Sequence, residues 1–92
     1  MIVRILLEGQ YDVPEAELDT LNKLDSEIER AVGTGAEDTF RSALHQLLAR
    51  VREVGTPLAD ESLKPSEIVL PAADASIDDV RELLGDEGLV PG

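Results

Sequence analysis

The chain contains no cysteine and no tryptophan, and Tyr11 and Phe40 are its only aromatic side chains. Without thiols there is no disulfide framework, no thiolate nucleophile and no cysteine zinc site. A small domain without such staples fits the reducing cytoplasm. With so few rings, the core must be aliphatic, drawn from Leu, Val, Ile and Ala. Long hydrophobic runs are absent too. The opening MIVRILL falls well short of the roughly 20 apolar residues that a membrane span requires. It also lacks the basic segment and small-residue cleavage site of a signal peptide. Basic residues are scarce, with 8 Lys and Arg against 20 Asp and Glu and a formal net charge of −12. That balance argues against binding a nucleic-acid backbone and against direct insertion into anionic membranes. The expectation is a soluble cytoplasmic protein.

Ninety-two residues support one small domain, spanning 1–92, which buries only about 60–65% of its unfolded-chain surface. The acidity is uneven: residues 1–35 carry −5, residues 36–59 balance, and residues 60–92 carry −7. Solubility, or a host with a salty cytoplasm, explains such a surface more simply than a specific acidic docking face.

Ile2–Leu7 is aliphatic and β-branched, and Gln10–Val13 is a second short extended candidate. Glu8-Gly9 can supply the reversal between them, with Gly9 at positive φ. The pair reads as a β-hairpin over 2–13, which needs helices to cover it. Pro14 suits the first turn of a helix, and Glu15 and Glu17 complement the positive end of its dipole. Leu18, Leu21, Leu24, Ile28, Ala31 and Val32 then recur at helical spacing, predicting a helix over about 14–32. Gly33-Thr34-Gly35 stops it. Thr34 with Glu37 has the spacing of a capping box, opening a second helix over 36–54 whose apolar face is Phe40, Leu44, Leu47, Leu48, Val51 and Val54. So short a connection makes the two an antiparallel hairpin. Residues 56–75 read as irregular, and Ile68-Val69-Leu70 is either a brief strand or extended chain plugging the core. Ser76 with Asp79 is another capping box, opening a short helix over 76–84 with Ile77, Val80, Leu83 and Leu84 inward. The fold class is α+β: an N-terminal β-hairpin, an antiparallel helical hairpin and a short C-terminal helix. Leu58, Leu63, Leu89 and Val90 either seal a monomer or line a homo-oligomer contact.

Chemistry is sparse. The sole histidine, His45, has no visible convergent partner for general-base or metal work. Asp74, Asp78 and Asp79 lack the alternating ligands, the central glycine and the final bidentate Glu of a calcium loop. GTGAED lacks the Lys-Ser/Thr end of a phosphate loop. No catalytic residue, cofactor or metal ligand is assigned, and an enzyme is not expected. At about 100° per residue, Arg41, His45 and Arg52 fall on one flank of the second helix's apolar face, a candidate stripe for an acidic partner. Asp25 and Glu29 lie on the equivalent flank of the first helix. Counting from the turn sets Glu29 level with Arg41 and Asp25 level with His45, so the stripe is expected to be neutralised internally, with Arg52 least accounted for. Tyr11 is expected to pack its ring on the core and keep its hydroxyl at the surface.

The segments MIVRIL-EGQYDVP, LNKLDSEIERAV, F-SAL--LLARVREVGTPL, L-PSEIVLPAADASIDDVRELL and GDEGLVPG, in that order, resemble the PspA-associated family PspAA over essentially the whole chain. Leu7 stands where that pattern has Gly, and Lys23 where an acidic residue is usual. The resemblance implies a bacterial phage-shock-type envelope stress system. It also implies a partner, the membrane-remodelling coiled-coil protein PspA, for which such a chain is a non-enzymatic partner or modulator. No catalytic or ligand-binding residues carry over from the resemblance, and the membrane would be reached only through the partner. The rival reading is a small regulatory sensor binding a metabolite or a transcription-related protein.

Overall fold

A computed structural model describes residues 1–59 and 68–83. The chain opens with β1 (Ile2–Ile5) and β2 (Gly9–Asp12), an antiparallel hairpin in which Val3 faces Tyr11 and Ile5 faces Gly9. Reciprocal bonds between Met1 and Val13, at 2.8 Å and 2.9 Å, continue the ladder past the strand ends. Strand alternation sends Val3 and Ile5 into the core and leaves Arg4 exposed. The expected strand over Ile2–Leu7 therefore ends two residues early. Leu6 to Glu8 form the turn, closed by Glu8 N–H donating to the Ile5 carbonyl at 3.0 Å. The left-handed residue of that turn is Leu7, at φ 66°, whereas Gly9, though also at positive φ, has already joined β2.

Two further strands complete the sheet. β3 (Thr56–Pro57) runs antiparallel to β2, and β4 (Ile68–Leu70) lies parallel to β1, giving the order β3-β2-β1-β4. The open alternative for residues 68–70 is thus a strand, with Ile68 and Leu70 buried and Val69 outward. Leu6 N–H extends the parallel ladder by donating to Leu70 O at 3.0 Å.

Pro14 keeps an extended ψ of 137° and delays the helix. A 3-10 turn over Glu15–Glu17 follows, and then α1 (Leu18–Thr34). Gly33 does not end α1. The helix runs through Thr34 and stops where Gly35 takes φ 72°. There Ala36 N–H reaches Ala31 O at 3.0 Å and Gly35 N–H reaches Val32 O at 3.4 Å, the paired bonds of a Schellman motif. Thr34 accordingly spends its hydroxyl on the carbonyls of Arg30 and Ala31, inside α1. The expected Thr34–Glu37 capping box is not formed, and α2 (Glu37–Val54) starts at Ala36 without a side-chain cap. The Ser76–Asp79 box is present in full. Ser76 N–H donates to Asp79 Oδ2 at 3.0 Å and Asp79 N–H to Ser76 Oγ at 3.1 Å, at the head of α3 (Ile77–Leu83).

The antiparallel α1–α2 pair covers the sheet face that carries Val3, Ile5 and Val13. Phe40, Leu44, Leu47, Leu48 and Val51 of α2 are completely buried, as are Leu21 and Ile28 of α1 within a percent or so. Each such side chain contributes about 1.5–3 kcal/mol by leaving water. Ile77 and Val80 of α3 seal the same core. The expectations for Leu84, Leu63 and the tail Leu89–Val90 fall outside the described residues.

Candidate functional site

On a helical wheel α2 has three sides. The core side runs through Phe40, Leu44, Leu47 and Val51. One flank carries Thr39, Ala43, Gln46 and Arg50, and the other carries Arg41, His45 and Arg52. α1 lies on the first of these flanks. Arg50 grips Glu17, at the entrance to α1, with Nη2 2.9 Å from Oε1 and Nε 3.1 Å from Oε2. Further along, Glu27 and Arg30 of α1 and Asp38, Thr39, Ser42, Ala43 and Gln46 of α2 line a shallow groove of about 480 Å³.

The flank bearing the candidate stripe therefore faces away from α1. The pairing expected of Glu29 with Arg41 is not formed for this reason: both are exposed, and Arg41 reaches the Ala75 carbonyl instead, while Asp25 is buried at 3% exposure. The stripe instead spans the gap between the β-hairpin and the approach to α3. At its far end from the helix turn, Arg52 Nε donates to Glu8 Oε2 at 2.8 Å, with Nη2 on Oε1. Tyr11 Oη adds a bond to the same Glu8 oxygen at 2.6 Å. The hydrogen bond from Arg52, followed by that from Tyr11, pulls the Glu8 carboxyl from 4.5 down to about 2. The bound carboxylate in turn pushes the Tyr11 phenol above its ordinary value. Tyr11 packs its ring against the core while its hydroxyl stays outside, as expected from sequence. At the other end, Arg41 Nη1 makes one long bond, 3.5 Å, to the carbonyl of Ala75. His45 lies between them on an exposed turn of α2.

Arg52 is thus occupied within the molecule, and Arg41 and His45 are the stripe residues open to a neighbour. Glu8 and Tyr11 escaped sequence reasoning as partners of Arg52. Their signal was their i, i+3 spacing around the turn, but nothing local places a helix terminus beside them. No group of three or more His, Asp or Glu converges as a metal-binding set among the described residues. Among those residues no helix is long and apolar enough to cross a membrane.

The family model of the PspA-associated proteins, PspAA, matches residues 1–92. The chain belongs to the PspAA family. No curated protein and no solved structure matches it significantly. The family description ties the chain to PspA. The exposed surface of the helix pair includes the α1–α2 groove and the Arg41–His45 flank.

Proposed function

We propose that this PspAA chain is a non-enzymatic adaptor that binds PspA directly and tunes its assembly or its response at the membrane. The observation that carries the reading is the family match over the whole chain. The helix pair supports it, because a rigid antiparallel hairpin with one free face can pack along another helix. In this reading Arg41 and His45 meet an acidic stretch of the coiled coil, and Arg52 holds the hairpin in place through Glu8. The protein acts in the cytoplasm and reaches the membrane through PspA.

Calorimetric titration and co-elution with the cognate PspA test the proposal. Binding in the range of about 0.1–30 μM is expected, weakened about tenfold by Arg41→Glu with His45→Glu while the melting temperature stays put. Absence of heat and separate elution, with PspA both assembled and dispersed, would overturn it.

A further inference from the structure

At the tip of the β-hairpin, Leu6 and Leu7 stand beside Pro71, Ala72 and Ala75 around an open groove of about 430 Å³. Leu7 is 95% exposed and Leu6 36%. Leu7 also takes a left-handed φ of 66°, a conformation costly for a residue with a bulky side chain. Among the described residues, the ionisable side chains that complete the lining are Asp74, Asp79 and Glu82, all acidic. Arg81 follows Val80 on the same short helix but turns away, to Val32 O at 3.2 Å and Asp78 at 3.3 Å. Arg41 approaches from α2 only at the Ala75 carbonyl. The groove is therefore apolar at its base and negative around its rim.

We propose that this groove is a docking site for a cationic amphipathic helix of a partner protein. Leu-type anchors on the helix cover Leu6, Leu7 and Ala72, and Lys or Arg one turn away pair with Asp74 and Glu82. Charge selects this occupant over the other two. An anionic lipid surface would bring phosphates against the three carboxylates. A second copy joined through the same patch would set acidic rim against acidic rim. The inference does not rest on the PspA reading; the groove adjoins the Arg41–His45 flank at Ala75, whose carbonyl Arg41 reaches.

Two synthetic peptides of about five helical turns test it, sharing one Leu face and differing only in a Lys/Arg or a Glu polar face. Each is titrated into the isotopically labelled full chain and followed by amide shifts. A net charge of −12 attracts any cation, so location decides, not affinity alone. The cationic peptide should shift the amides of Leu6, Leu7, Ala72 and Glu82, with the acidic peptide at least about tenfold weaker. Leu7→Ser, and separately Asp74→Asn with Glu82→Gln, should each weaken binding about fivefold or more at unchanged melting temperature. Shifts centred elsewhere, equal binding of both peptides, or indifference to both sets of substitutions would overturn the proposal. So would binding of phosphatidylglycerol vesicles, or concentration-dependent dimerisation, abolished by Leu7→Ser.

Discussion

Arg52, near the end of α2, and Glu8, in the β-hairpin turn, are joined by two hydrogen bonds across 44 residues of chain. The bond pins the hairpin tip to the helix pair, and Tyr11 shares the same carboxylate. Because the pair is at the surface, with Arg52 41% and Glu8 29% exposed, it contributes about 0.2–1 kcal/mol, not the full worth of its geometry.

That contribution depends on pH in a defined direction. The folded-state value of Glu8 is about 2 against 4.5 in the free side chain, so folding favours the ionised form. The stabilisation is complete above about pH 4.5 and is lost as the pH falls through about 2. Glu8→Gln should therefore lower stability by about 0.2–1 kcal/mol at pH 7, and the difference from the parent should close near pH 2. Urea unfolding at the two pH values reads it; a gap that stays constant would mean that Glu8 acts through something other than its charge.

Leu7→Gly should stabilise the protein. The left-handed conformation at φ 66° costs an L-residue about 1–2 kcal/mol, and the extra chain entropy of glycine returns about 0.5–1 kcal/mol of that. With the side chain almost wholly in water, little packing is lost. A net gain of about 0.5–1 kcal/mol is expected from chemical denaturation, and a loss would show that Leu7 is covered in solution.

Gly55→Ala should do the opposite. A Cβ at this position would sit 2.6 Å from the Val51 carbonyl oxygen and 2.9 Å from Tyr11 Cβ, where α2 hands over to β3 against β2. Neither neighbour is a flexible chain end, so the backbone must shift, at a cost of about 1–3 kcal/mol. Thermal melting of the alanine variant checks this.

Phe40→Ala removes the largest completely buried side chain and should cost about 3–5 kcal/mol. For a domain with about 5–15 kcal/mol in total, this is enough to broaden or abolish a cooperative melt. A shift of only a degree or two would place Phe40 outside the core.

The helices were legible because their apolar residues repeat often enough to define a face. Phe40, Leu44, Leu47, Leu48 and Val51, and Leu21, Ile28, Ala31 and Val32, are buried as their spacing predicts, with Leu24 half-buried. The Ser76–Asp79 box was legible because its chemistry is entirely local. Boundaries were less so. Thr34 and Glu37 have the spacing of a cap, but the left-handed Gly35 and its two Schellman bonds satisfy the helix end first. β3 is two residues long, too short for any alternation, and exists because β2 offers it an edge. The basic flank of α2 was located at the correct angle and assigned the wrong neighbour. A wheel orders side chains around an axis, but which side α1 occupies is decided by the hand of the turn through Gly35 and Ala36. That places Arg50, not Arg41, on the α1 side, against Glu17 at the entrance to α1.

The parallel pairing of Val3 with Ile68 and Ile5 with Leu70 also shapes how the molecule assembles. Hairpin and helix pair can each form from neighbours in sequence, whereas β4 must close a loop around both before it gains a single ladder bond. The last strand to arrive is thus the slow one, and until it docks, one side of β1 keeps its backbone groups bare to whatever is nearby.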